Sequence, residues 1–448
     1  MTSLKKLAIS GAVWTFAGYG ASQILRFGSN LVLTRLLFPE LFGLMALINT
    51  FIIGLNLFSD IGIGQSIIQN ERGDETAFLN TAWTLQVIRG FVLWLCCALI
   101  AWPIANFYGE PQLLWLLPVV GLNTIISGFN STALFTLNRH LAVRKLAIFE
   151  LSVQTISLTV MIIWAALSRS IWALVIGGLV NALLWMIGSH RLNSGTPNHF
   201  VWDRNAVKAI LSFGKWIFVS TALYFLAEQS DRLILGKLIP IEVLGVYGIA
   251  FALADIPRQV LLAISSKVFF PVFSKSADLP REIFRAKIKN NRKPVLIAMA
   301  LGLTVMVSFG DFLILTLYDQ RYMQASWMFP LLAFGIWPRI LTQTIDTSLF
   351  AIGKAKYAAI ASLAKFIFMI IGLPLGFHLM GIAGAVIVVA LNDLPFYGIV
   401  TYGLWREKLA CLKQDIQATF IFLTSLTFII CSRIIFGWGL PIKLLFTS

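Results

Sequence analysis

Apolar stretches long enough to cross a bilayer recur along almost the whole chain, separated by short charged or turn-rich breaks. A helix needs roughly 20 apolar residues to span a hydrocarbon core of about 30 Å. Read between the breaks, the pattern predicts helical spans near residues 9–34, 42–59, 82–106, 113–136, 147–167 and 171–189, which form a first half. After the polar connection HRLNSGTPNHFVWDRNAVK, further spans fall near 209–228, 242–265, 295–318, 327–350, 357–379 and 381–404. A thirteenth, near 416–437, follows the basic WREKLACLKQD connection. The predicted organisation is a six-helix lobe over 1–205, a second over 206–405, and an extra C-terminal segment over 406–448.

Composition agrees with this pattern and narrows the class. A chain that is 58% hydrophobic and 12% charged carries more apolar surface than a water-soluble fold of 448 residues hides, so lipid is its expected solvent. The N-terminus begins like a signal peptide, but its apolar stretch runs past Leu33 without a small-residue cleavage site at the usual distance, so it reads as a retained first span. The formal charge of +15 is spread over many short loops, which points to membrane topology and not to nucleic acid. Even-numbered connections and the N-terminus hold 22 of the loop Lys and Arg residues, against 6 in the odd-numbered ones and the C-terminal tail. The positive-inside rule then places the N-terminus in the cytoplasm and, after thirteen spans, the C-terminus outside. Cys96, Cys97, Cys411 and Cys431 lie in or beside apolar segments without metal-ligand spacing and read as small hydrophobes. His140, His190, His199 and His378 are scattered over loops and span ends. No metal or organic cofactor is expected, and no G-x-x-x-x-G-K motif is present to bind ATP.

The two halves resemble each other at an offset of 202 residues, where Trp14 meets Trp216 and Phe16 meets Phe218. The register continues from Arg35-Leu36-Leu37 onto Lys237-Leu238-Ile239, and from Glu40-Leu41-Phe42-Gly43 onto Glu242-Val243-Leu244-Gly245. Six spans per copy is an even number, so the expected relation is a pseudo-twofold axis along the membrane normal.

Three stretches carry a family resemblance: GAVWTFAGYGASQILRFGSNLVLTRLLFPELFGLMAL, then FSDIGIGQSIIQ, then SDRLILGKLIPIEVLGVYGIAFALADIPRQVLLAISSKVFFPVFSK. They resemble the polysaccharide transporter family of Wzx-type flippases, within the multidrug, oligosaccharidyl-lipid and polysaccharide exporter superfamily. The resemblance implies two six-helix lobes around a central cavity. It also implies movement of an undecaprenyl-diphosphate-linked repeat unit from the inner to the outer leaflet, by alternating access, for O-antigen, capsule or exopolysaccharide. A polysaccharide polymerase is then a candidate partner, beside membrane lipids. Members commonly carry two spans beyond the core twelve; one is found here.

A flippase needs cations for the diphosphate and a polar cavity for the glycan. Charged residues at mid-span cost at least about 2.5–3.5 kcal/mol on insertion scales and are functional candidates for that reason. Arg26, about 25 Å into the first span at 1.5 Å per residue, and Arg258, in the eighth, sit in the matching motifs LRFGSNL and DIPRQVL. The resemblance places cavity-facing arginines on these helices, and a guanidinium pairs well with phosphate oxygens. The competing reading for Arg258 is an ion pair with Asp255 one turn away. Arg89, Arg339 and Lys365 also fall within spans and extend the cationic set. Asp60, Asp346 and Asp393 are candidates for H+ or Na+ coupling, or else neutralise Arg89, Arg339 and Lys365. Lys215 and Arg433, near span ends, read as snorkelling side chains. Gly62, Gly64, Pro257, Pro338, Pro374 and Pro395 are candidate hinges, and SKSADLPREIFRAKIKNNRKP is a candidate interfacial helix. Gln23, Asn30, Asn123, Asn130 and Gln343 are uncharged groups able to shape sugar selectivity. Two other functions stay open: a drug or cation exporter, which would need an anionic or aromatic cavity, and a membrane enzyme acting on the lipid carrier, which would need a sizeable outer loop. The loops assigned to the outside are short.

Overall fold

The computed structural model describes residues 2–139, 142–192 and 197–443, with side chains described throughout these except at 2–13, 15, 16, 138, 143 and 212–220. His140, and the side chains of Lys215, Phe16, Trp216 and Phe218, therefore lie outside the described set. The described residues are helical, without strand, and the chain divides into two compact units, Met1–Ala222 and Leu223–Ser448. By length and composition, eight described helices suit a membrane crossing, and Leu113–Gly128 and Ile241–Ala254 are shorter apolar helices. The chain is thus a multi-pass α-helical membrane protein.

The first unit contains α1 (Thr2–Leu36), α2 (Pro39–Phe58), α3 (Ile63–Gln69), α4 (Thr76–Tyr108), α5 (Leu113–Gly128), α6 (Ala133–Arg139), α7 (Val143–Leu167) and α8 (Trp172–Arg191). The 113–136 stretch predicted as one span is two helices, because α5 stops where the Gln86 amide takes the carbonyls of Ser127, Gly128 and Asn130 at 3.2, 3.0 and 3.0 Å. Helices α4 and α5 approach closely through Gly90 and Gly128; a Cβ on Gly90 would lie 2.6 Å from the Thr124 carbonyl oxygen. The polar 197–203 connection is fastened along α4: the backbone N–H groups of His199, Val201 and Asp203 donate to Asn80, Thr84 and Thr81. Polar groups on a largely apolar helix are thereby satisfied by backbone instead of lipid.

Helix α9 (Arg204–Leu238) crosses the division between the units. The second unit continues with α10 (Ile241–Ala254), α11 (Ile256–Ile264), α12 (Phe270–Ser274), α13 (Arg281–Leu317), α14 (Ala325–Gly335), α15 (Trp337–Gln343), α16 (Thr347–Ala351), α17 (Lys356–Leu391), α18 (Asp393–Arg406) and α19 (Leu412–Ile435). The 202-residue offset returns in the elements: α1 and α9 begin at residues 2 and 204 and end at 36 and 238, while α2 and α10 begin at 39 and 241.

Predicted spans 242–265 and 327–350 are broken helices. Pro257 and Pro338 stand in the first turns of α11 and α15, where a missing N–H costs nothing, so each starts a helix after a break. The predicted gap at residue 380 is a tight turn inside α17, with Gly381 at φ 59° and ψ −142°, a region L side chains rarely adopt. The two arms meet so closely that a Cβ on Gly384 would lie 2.0 Å from the Gly376 oxygen. The basic 281–294 segment is the start of α13 and not a separate interfacial helix.

The thirteenth predicted span is α19, packed on α13 by two buried ion pairs. Arg292 Nη2 meets Asp415 Oδ1 at 2.7 Å, and Arg433 Nη2 meets Asp311 Oδ2 at 2.7 Å. Arg433 also donates to the Ser308 carbonyl. It is 1% exposed, so the snorkelling reading is corrected: Asp311, one helix away, offers a partner that the sequence order of its own span does not reveal. The pairs join early residue to early and late to late, so α13 and α19 run parallel. This requires an odd number of crossings between them, as the thirteen-span pattern has. At 1.5 Å per residue the two pairs on α13 are about 28 Å apart, close to the thickness of the hydrocarbon core.

Candidate functional site

In the second unit, Glu228 on α9 is the hub of a buried charge cluster. Arg258 Nη1 reaches Glu228 Oε2 at 2.6 Å, Lys365 Nζ reaches Oε1 at 3.1 Å, and Arg339 Nη2 lies 4.0 Å from Oε1. Asp255 forks onto Arg258, with a bond from Nε to Oδ1 and another from Nη2 to Oδ2 at 3.1 Å. Asp393, at the start of α18, accepts from Lys365 at 2.9 Å. Three cations therefore balance three carboxylates. Around them lies a small cavity of about 30 Å³, lined by Glu228, Asp255, Arg258, Lys365 and Asp393 among others. That is room for a water or two.

The helix breaks assemble this cluster. Asp255 caps the turn between α10 and α11, which brings Arg258 back against it one turn later. The turn at Gly381 folds α17 on itself, and α18 then starts at Asp393 beside Lys365. Arg339 follows the α14–α15 break; its guanidinium carbon stacks 4.3 Å from the Phe396 ring centroid. Its Nε and Nη1 are buried without a hydrogen-bond partner. Donors left open in this way are costly, and a cation with two of them is equipped to take up anionic oxygen. Asp346, on the far side of the same broken segment, interacts electrostatically with Arg339 but makes no ion pair among the described residues.

The first unit holds the other candidates. Arg89 and Asp60 both line a cavity of about 520 Å³. Arg89 Nε donates to Ser59 Oγ at 2.9 Å and Nη2 to the Asn56 carbonyl at 2.7 Å, so the cation sits at the C-terminal end of α2, where the helix dipole favours it. Asp60 Oδ1 accepts from the Gly62 N–H at 2.9 Å and shapes the turn into α3, with Gly62 at φ 67°. No ion pair within 4.0 Å joins Arg89 and Asp60. Arg26 is exposed and has no ion pair among the described residues.

The structure thus gathers Arg258, Arg339, Lys365 and Asp393 in one cluster and places Arg89 with Asp60 on a second site. Of the ion pairs considered from sequence, Arg258–Asp255, the competing reading for Arg258, and Lys365–Asp393 form as direct contacts, whereas Asp60 and Asp346 make no ion pair with Arg89 or Arg339. Sequence reasoning missed Glu228. The predicted span ended at that residue, whereas α9 continues for ten more, and the signal available was the run of apolar residues resuming at Leu233. Among the described residues no three His, Cys, Asp or Glu side chains gather as a metal-ligand set.

Comparison with known proteins adds the family. A curated relative, the teichuronic acid biosynthesis protein TuaB of Bacillus subtilis, is 24% identical over 363 residues, covering 80% of this chain and 74% of its own. The succinoglycan biosynthesis transport protein ExoT of Rhizobium meliloti is 24% identical over 262 residues, 58% of this chain. The match spans about half of ExoT, 53% of its length. Among solved structures, lipid II flippase MurJ in an inward closed conformation superposes with a TM-score of 0.71 at 15% identity, over 94% of this chain and 91% of MurJ, which shows a shared fold. The profile of the family described as polysaccharide biosynthesis protein matches residues 32–327, and the chain belongs to that family.

Proposed function

We propose that this protein is a flippase that carries an undecaprenyl-diphosphate-linked oligosaccharide across the bacterial inner membrane for surface polysaccharide synthesis, and is not an enzyme. The observation that carries the reading is Arg339, a buried cation with two unpartnered guanidinium nitrogens, set beside Arg258 and Lys365 around one carboxylate within membrane helices. Glu228 holds the place that diphosphate oxygens take. When the lipid diphosphate enters, its charges replace the carboxylate's against Arg258, Arg339 and Lys365, and Glu228 is relieved by a proton or Na+. Release of the cargo reverses the exchange. Burying unpaired charge is strongly unfavourable, so cargo and coupling ion are bound and released together, which ties the alternating-access cycle to ion movement. Arg26, exposed and without a carboxylate partner, supports a further diphosphate contact.

The family relatives named for polysaccharide synthesis and transport support the cargo class. The loop charge asymmetry supports a cytoplasmic N-terminus. A polymerase that consumes the delivered repeat unit is the expected partner. The drug-exporter reading is less well supported, because Arg258, Arg339 and Lys365 make the second unit's site suited to anions. The test is genetic and chemical: deleting the gene abolishes surface polysaccharide while lipid-linked repeat unit accumulates inside, and a wild-type copy restores export. Normal export without the protein contradicts the reading.

A further inference from the structure

The first unit's cavity differs in chemistry from the second unit's charge cluster. Its described lining contains one cation and one carboxylate, Arg89 and Asp60, and five amides, Asn56, Gln65, Gln86, Asn123 and Asn130. A net charge near zero makes it a poor diphosphate site. About 520 Å³ falls in the range of small-molecule sites, roughly 300–1,000 Å³. Resting on the flippase reading above, we infer that this cavity is a glycan subsite that takes an uncharged, hydroxyl-rich sugar ring of the cargo.

The polar groups left open there match hydroxyls. A sugar hydroxyl donates once and accepts twice, so a lining of mixed donors and acceptors suits it better than a lining of one kind. Asn123 and Asn130 line the cavity, with Oδ1 atoms that are buried in its wall without a hydrogen-bond partner. Asp60 uses one oxygen on the Gly62 N–H, leaving its second to accept. Arg89 spends Nε and Nη2 on Ser59 and Asn56, leaving Nη1 to donate. Phe135 lines the same space and adds apolar surface for the C–H side of a pyranose. The Gln86 amide N–H₂ is committed to three backbone carbonyls, so it fixes the wall and presents its oxygen. Gly64 keeps the Phe135 platform in place, since a Cβ there would lie 2.7 Å from the ring.

The test uses the full-length protein in lipid nanodiscs and saturation-transfer NMR. Probes are three neutral disaccharides (cellobiose, lactose and chitobiose), glucuronate and inorganic pyrophosphate. At least one neutral disaccharide is expected to saturate, more strongly than glucuronate. Asn123→Leu and Asp60→Asn are each expected to weaken it about 3- to 10-fold, the loss of one or two hydrogen bonds. Two variants with thermal melting checks keep a folding defect in one from deciding the result. Overturning results are no saturation of any neutral disaccharide, unchanged saturation in a normally melting variant, or displacement of the disaccharide by pyrophosphate. Failure of the flippase reading shows separately, as normal polysaccharide export in the deletion strain.

Discussion

Removing the Glu228 carboxylate provides a stringent test of the charge cluster. In the native protein Arg258, Arg339 and Lys365 balance Glu228, Asp255 and Asp393, with the Glu228 oxygens 2.6, 3.1 and 4.0 Å from the three cations. Glu228→Ala leaves a net charge of +1 buried among membrane helices and removes all three contacts together. At an effective dielectric of about 20, one such contact near 4 Å is worth about 4 kcal/mol before desolvation is counted. Breaking a buried pair from one side costs about 3–5 kcal/mol. We expect a loss of that size, and a smaller one for Glu228→Gln, whose amide oxygen still accepts from one cation. Adding Lys365→Met to Glu228→Gln returns the cluster to two cations and two carboxylates. It is expected to recover at least about 1 kcal/mol relative to additivity, as contacting residues do. The assay is unfolding in nanodiscs followed by intrinsic fluorescence, on the four proteins of the double-mutant cycle plus Glu228→Ala. A Glu228→Ala protein as stable as wild type, or additive effects of the two substitutions, refutes the cluster's role.

Other predictions test separate parts of the account. Arg433→Met should cost about 3–5 kcal/mol by leaving Asp311 buried without its cation, and Arg433→Met with Asp311→Leu should recover much of it in the same unfolding assay. Gly381→Val should destabilise the α17 turn by about 1–3 kcal/mol through its positive φ, whereas Gly302→Ala, in open space on α13, should stay within about 0.5 kcal/mol of wild type. Arg26→Ala should abolish surface polysaccharide with protein abundance unchanged, and Arg258→Ala should abolish it while also lowering abundance, because Glu228 and Asp255 lose a buried cation; both are measured by polysaccharide staining and immunoblot, and full activity in both removes the diphosphate-contact reading. A cysteine at Glu110 should react with a membrane-impermeant maleimide from outside the inner membrane, and labelling only from the cytoplasm overturns the orientation.

Most of the fold was legible because lipid imposes a simple code: apolar length sets a helix, and a polar or turn-forming break ends it. All thirteen predicted segments are helical in the structure, and the break predicted at residue 380 is the turn at Gly381. Breaks within spans were less legible. Pro257 and Pro338 were visible, but whether a proline bends one helix or starts another depends on what receives the freed carbonyls. Partners were the least legible. Arg433 and Asp311 are 122 residues apart, as are no two groups that helical spacing relates, so Arg433 looked like an interfacial side chain. Arg292 looked like one more cytoplasmic charge and is buried against Asp415. For the candidate site, the sequence named each cation because charge in an apolar run is conspicuous. It missed Glu228 because a carboxylate near an expected span end looks like a boundary. Only the folded helices bring that residue to Arg258, Arg339 and Lys365.

The most direct test of the central claim is translocation by the purified protein. Lipid-linked repeat unit extracted from the deletion strain is placed in the inner leaflet of proteoliposomes, and its arrival outside is followed with a glycan-cleaving enzyme added to the exterior. The account predicts protein-dependent exposure of the glycan, accelerated by a proton or Na+ gradient and lost in Arg339→Ala. Exposure no faster than in protein-free vesicles, with folded protein and either gradient imposed, contradicts it.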